Sequence, residues 1–123
     1  FMMKYMLAGF LLTIFLFALM PGQMTPAFLV NHDKAAHAAA FFLLALMLHK
    51  SFVSVTVVQR LMILVGIGVS IEILQYLFAD RGFSFEDIAY DLLGITLYTL
   101  VSMLTVLAVK IFNKQSKESN DRV

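Results

Sequence analysis

The chain has 123 residues, 61% of them hydrophobic and only 14% charged, with a formal net charge of +1. Globular proteins average roughly 45–50% apolar and about 25% charged residues, so the surplus apolar surface must face a solvent other than water, and that solvent is lipid. The lack of cysteine excludes disulfides, thiolate metal sites and thiol catalysis, and the near-neutral balance leaves no basic footprint for nucleic acid.

In chain order, the first apolar run covers residues 5–20. Lys4 ahead of it looks like the start of a secretory leader, but the run is long for one. It ends Leu19-Met20-Pro21-Gly22 without a small-x-small cleavage site, so it reads as a retained helix. Pro21, Gly22 and Pro26 mark the first loop. The second run, residues 35–48, falls short of the ~20 residues that usually cross a hydrocarbon core; it reaches spanning length only by continuing to about Phe52, with Lys50 snorkelling to the headgroups. The third and fourth runs, residues 61–78 and 88–112, are hydrophobic all round. Ser84, three residues before Asp87, is placed to cap the fourth helix. Gly66, Gly68 and Gly94 are expected where helices approach closely. The fold class is therefore all-α: a polytopic membrane protein in which residues 1–112 form a bundle of four transmembrane helices and residues 113–123 a short, polar, disordered cytoplasmic tail.

Basic residues set the orientation, because loops rich in Lys and Arg stay on the cytoplasmic side. Lys4, Lys50, Arg60, Lys110, Lys114, Lys117 and Arg122 fall at one set of helix ends, and only Lys34 and Arg81 at the other. Both termini are then cytoplasmic. Counted by side, the inner end carries a net charge of +5, and the outer end, with Asp33, Glu72, Asp80, Glu86, Asp87 and Asp91, a net of −4.

Residues three or four apart share a helix face. Asp33 and His37, Glu72 and Gln75, and Asp87 and Asp91 are such pairs, contributed by three helices to one depth. Charged groups in a bilayer cost at least ~2.5–3.5 kcal/mol each on insertion scales, so these residues are expected to face inward and share partners. The order Asp33-Lys34-x-x-His37, Glu72-x-x-Gln75, Arg81 followed six residues later by Asp87, a polar residue at 91, and Gly94 resembles the VanZ-like family, the membrane proteins named for a teicoplanin-resistance protein. The resemblance spans residues 33–94, with one departure: the family usually has asparagine where this chain has Asp91. It implies a multi-pass protein of the bacterial cytoplasmic membrane linked to low-level glycopeptide resistance, without an agreed chemical activity.

Three functions fit these residues. The first is an outer-leaflet pocket that binds or modifies a cell-envelope lipid or peptidoglycan-related molecule, a lipid-linked or glycopeptide ligand. Here His37, Glu72, Asp33 and Asp87 are the catalytic candidates, with Lys34, Gln75, Arg81 and Asp91 contacting the ligand. The second is a non-catalytic membrane binding or scaffold protein in which the same groups hold helices together. The third, a small transporter, is disfavoured because residues 41–48 and 61–69 are apolar and offer no continuous path. Asp33, His37, Glu72 and Asp87 are oxygen and imidazole donors suited to a divalent metal, although no established metal motif is present. Whether the protein is an enzyme stays open at this point. His32 and His49 sit alone at helix ends and read as solvated.

Overall fold

The computed structural model describes residues 1–28 and 32–123. Among them lie four long helices and no strand: α1 (Met2–Leu19), α2 (Asp33–Ser51), α3 (Val57–Phe78) and α4 (Phe85–Asp121), with a single 3-10 turn at Gly22–Met24. The all-helical class expected from the sequence holds. Three of the four, α1, α3 and α4, are long and apolar enough to cross a membrane. The exception, α2, has 19 residues, about 28 Å at 1.5 Å per residue. Its alanine-rich first half and its charged ends lower its hydropathy, and like α3 it touches all three other helices.

Local chemistry explains most of the boundaries. α1 stops because Pro21 forces the residue before it out of the helical region, and Met20 is extended at φ −69°, ψ 131°. α3 opens four residues ahead of the apolar run, at a reciprocal cap: the Gln59 amide donates to the Thr56 hydroxyl at 3.1 Å, and the Thr56 amide donates to the Gln59 side chain at 3.0 Å. Ser84 caps α4 as expected, its hydroxyl accepting from the Asp87 amide at 3.1 Å. The far end of α4 corrects the disordered tail. Residues 113–121 are helical and exposed, because Lys, Gln and Glu are good helix formers and no glycine or proline interrupts them. At 37 residues, α4 is about 55 Å long and outruns a ~30 Å hydrocarbon core.

α2 and α4 form the most extensive helix pair. They run in the same direction, since contacts between them advance together along both, from Lys34 with Asp87 to His37 with Asp91 to Phe42 with Tyr98. α1 runs the other way: the Lys4 ammonium lies 4.9 Å from the centre of the Phe52 ring, just past the end of α2. α1 packs on α2 and α3 and leaves α4 alone. The core is the α2 stripe Phe41, Leu44, Ala45 and Leu48, at helical spacing, against Leu64 and Ile71 of α3 and Ile95 and Tyr98 of α4. Leu12, Leu16, Met62 and Leu104 point outward and are well exposed, the pattern a lipid-facing surface requires.

Glycine sets the spacing of the central pair. A Cβ at Gly94 would run into the backbone carbonyl of Ala38, so the two helices approach there to a distance only glycine permits. At Gly68 a Cβ would come within 2.8 Å of Asp91 Oδ2, so the missing side chain makes room for that carboxylate. Gly66 faces open space and has no such role. Replacing Gly94 by valine is therefore expected to lower the detergent melting temperature by the equivalent of about 1–3 kcal/mol, the usual cost of over-packing. Gly66→Val, measured alongside, is expected to stay within about 0.5 kcal/mol of the parent protein.

Candidate functional site

The first turns of α2 and α4 lie side by side, and both carry charge on the facing surfaces. The Lys34 ammonium pairs with Asp87 Oδ1 and stands 3.8 Å from Asp33 Oδ2 and 3.5 Å from Glu86 Oε2. One turn deeper, His37 Nδ1 is 2.7 Å from Asp91 Oδ1, and its Nε2 is 3.7 Å from Asp33 Oδ1 and 3.4 Å from Asp87 Oδ2. Asp33 and Asp87 thus turn one oxygen to the lysine and the other to the histidine. Asp87 and Asp91 are buried, Asp33 and Lys34 half-buried.

This geometry constrains the imidazole. Nδ1–H donates to Asp91, which fixes the ring and its tautomer. Nε2 then looks at two carboxylate oxygens. A bare lone pair there would face like charge, so the point calls for a cation, either a proton on the ring or a metal ion. Asp33, His37 and Asp87 each offer a donor atom within 4.8 Å of the others. Bonds of ~2.0–2.2 Å place neighbouring ligands roughly 3–3.5 Å apart, so a modest inward movement of the carboxylates would accommodate a small divalent ion. Lys34 competes for that role, because its ammonium already balances the outer oxygens of the same two carboxylates.

Glu72 is not the fourth donor of this group. It is fully buried on α3, where Oε2 accepts from the Ser84 amide at 3.0 Å. That bond straps the α3–α4 loop down onto the bundle. The loop begins with Asp80 at φ 51°, a left-handed conformation that Asp tolerates better than most residues. The turn lets the amides of Ala79 and Arg81 both donate to the Gln75 carbonyl, at 3.2 and 3.1 Å. Arg81 is brought by this turn onto the wall of the site, and among the described residues its guanidinium pairs with no carboxylate. Two buried carboxylate oxygens, Glu72 Oε1 and Asp91 Oδ2, also lack a hydrogen-bond partner among the described residues. Such atoms are rare in folded proteins and mark a polar demand that the chain itself leaves unmet.

Beside these groups lies a cavity of about 440 Å³. Its polar wall includes Asp33, His37, Gln75 and Arg81; Phe10, Ile14 and Phe17 of α1, with Phe41 and Ile71, form the apolar wall. Seven of the eight sequence-selected residues therefore sit in the His37 network or on the cavity wall, and the eighth, Glu72, holds the loop that positions Arg81. Asp33 is the first residue of α2, and His32, at the cap position before it, makes no side-chain cap bond. His49 is not the isolated, solvated residue expected: its Nδ1 lies 2.6 Å from the Tyr98 hydroxyl. His32 is exposed and its Nδ1 bonds the Phe28 carbonyl at 2.9 Å. The sequence reading also missed Glu86 as a neighbour of Lys34, although its position one residue before Asp87 could have suggested it. Comparisons with protein-family models, curated proteins and solved structures find no match to this chain.

Chemically, the arrangement offers an oriented imidazole flanked by carboxylates, a guanidinium that no described carboxylate pairs with, and an adjoining apolar space. The first test is energetic. Lys34→Met or Asp87→Leu alone is expected to cost about 1.5–3 kcal/mol, as for a hydrogen bond between charged groups, and the double variant less than the sum, in a double-mutant cycle of detergent unfolding. The second concerns the loop. With Glu72→Ala, hydrogen exchange at the Ser84 amide is expected to speed up by about ten- to a hundredfold, matching the loss of one charge-assisted bond, whereas amides in the middle of α2 are expected to keep their protection.

Proposed function

We propose that this chain is a VanZ-like integral membrane protein whose acidic end binds a cell-envelope amphiphile. In this reading all four helices span the bacterial cytoplasmic membrane, with both termini inside and the Asp33–His37 end in the outer leaflet. The distribution of basic residues supports that orientation, since Lys4, Lys50, Arg60 and Lys110 belong to the end of the bundle that carries the start of α1 and the end of α2. The motif order from Asp33 to Gly94 supports the family.

The observation that carries the proposal is the composition of the cavity. Its phenylalanine-rich side suits an acyl or isoprenoid chain, and its polar side, with Asp33, His37, Gln75 and Arg81, suits a polar or anionic head. Arg81, unpaired by any described carboxylate, is the natural anchor for a phosphate or carboxylate on that head. His37, held by Asp91, is the group best placed to move a proton, should the bound molecule also be altered. Glu72 positions the Arg81 loop. Association with glycopeptide resistance, teicoplanin in particular, follows from a lipid-linked or peptidoglycan-related ligand being withheld or changed at the outer surface.

Transport is less well supported, because Phe41, Leu44 and Leu64 are almost wholly buried and fill the bundle beyond the site. A purely structural role has one observation in its favour: the Lys34–Asp87 and His37–Asp91 pairs join α2 to α4. Lipid analysis separates the two. The purified protein is expected to carry an isoprenoid or phospholipid species that is depleted in Asp33→Ala, His37→Ala and Arg81→Ala, each of which also restores teicoplanin susceptibility at normal membrane levels of the protein. Identical lipids and unchanged susceptibility in all three, with only the melting temperature lowered, would leave the structural role standing.

A further inference from the structure

A second polar group lies at the opposite end of the bundle, and its sign is reversed. Arg60, in the first turn of α3, is only 4% exposed. Its guanidinium lies 5.8 Å from the centre of the Tyr98 ring, and among the described residues no carboxylate pairs with it. The Tyr98 hydroxyl is in turn bonded to His49 at 2.6 Å. Arg60, His49 and, further along α4, Lys110 line a cavity of about 690 Å³ whose remaining wall is mostly the apolar face of α4. The acids at this end, Glu118 and Asp121, lie more than two helical turns beyond Lys110, out of reach of Arg60.

A buried guanidinium with no counter-charge is a costly arrangement, and burial of charge is tolerated where a partner neutralises it. An aromatic face offsets part of that cost, yet leaves the five N–H donors of the fork to be satisfied. Those donors match the oxygens of a phosphate better than any neutral group does. From this geometry we infer that the Arg60 cavity binds a phosphate group, with Lys110 and His49 as flanking contacts. The apolar α4 wall beside it favours a phosphate carried on an amphiphile, the chain lying along α4, and basic pockets between membrane helices are known to take lipid headgroups of this kind. The site is independent of the acidic end and of any function proposed for it.

The full chain, purified in detergent, is titrated with dihexanoyl phosphatidic acid, with dihexanoylglycerol, which has the same chains and no phosphate, and with inorganic phosphate, while melting temperature and native mass are followed. Phosphatidic acid is expected to raise the melting temperature saturably and to appear as a bound mass; dihexanoylglycerol is not. Arg60→Gln is expected to weaken binding by about tenfold or more, and Lys110→Gln by less, as charge-assisted contacts are lost. Lys117→Gln, on the projecting end of α4, is expected to bind as the parent does. A saturable, Arg60-dependent response to inorganic phosphate alone identifies a free anion as the ligand; a response only to phosphatidic acid identifies a headgroup. Equal responses to phosphatidic acid and dihexanoylglycerol, or unchanged affinity in Arg60→Gln, overturn the inference. Should Arg60→Gln fail to fold, unchanged affinity in both His49→Ala and Lys110→Gln overturns it equally.

Discussion

The approach of α2 to α4 at Gly94 governs the rest of the molecule. Because no side chain stands between Gly94 and the Ala38 carbonyl, the two helices lie close enough for short polar side chains to meet across the gap. Lys34 reaches Asp87 and His37 reaches Asp91 on the turns just before that contact. Gly68 on α3 completes the arrangement by leaving space for Asp91. Without these two glycines the acids would be spread apart, each needing a separate partner in surroundings where partners are scarce. Tight helix packing and the polar group are one feature seen from two sides.

The bundle is polarised along its length. One end gathers carboxylates around a histidine and a lysine, the other sets Arg60 and His49 against Tyr98, and a plug of Phe41, Leu44 and Leu64 divides them. In a low-dielectric medium such groups cannot be left to water, and each end resolves the problem differently. At the acidic end the chain supplies partners of opposite charge, with Lys34 and His37 set among Asp33, Asp87 and Asp91, and among the described residues Glu72 Oε1 and Asp91 Oδ2 are the carboxylate oxygens buried without a partner. At the basic end no carboxylate among the described residues pairs with Arg60, which is the ground for inferring a partner from outside the chain.

Much of this was legible in the sequence, for a physical reason. Polar residues in an apolar chain stand out against their background, and helical spacing then gives their faces, so Asp33 with His37 and Asp87 with Asp91 could be grouped before any coordinates. The Ser84 cap could be read for the same reason: its chemistry is local. What could not be read depends on distance in space. The alternation of four spans gives α2 and α4 the same direction, but nothing in the order of residues says that they lie side by side, so the pairing of His37 with Asp91 rather than with Glu72, and of Glu72 with the Ser84 amide, was out of reach. His49 looked isolated because its partner, Tyr98, is 49 residues away in the chain. The start of α3 was missed although Thr56 and Gln59 have the spacing of a reciprocal cap, since Gln59 and Arg60 separate Val57 and Val58 from the apolar run that begins at Leu61. The helical end of α4 shows that polarity alone does not mark disorder: its residues are good helix formers extending an existing helix.

The site depends above all on His37 being held across the helix interface by Asp91. Nitrogen NMR on protein labelled at histidine reads this directly, because the three histidines differ in their partners and each can be assigned by substitution. The His37 Nδ1 proton is expected to be strongly deshielded and slow to exchange, to lose both properties in Asp91→Ala, and to keep them in Glu72→Gln. A His37 signal that exchanges like the exposed His32 and is indifferent to residue 91 would contradict the account.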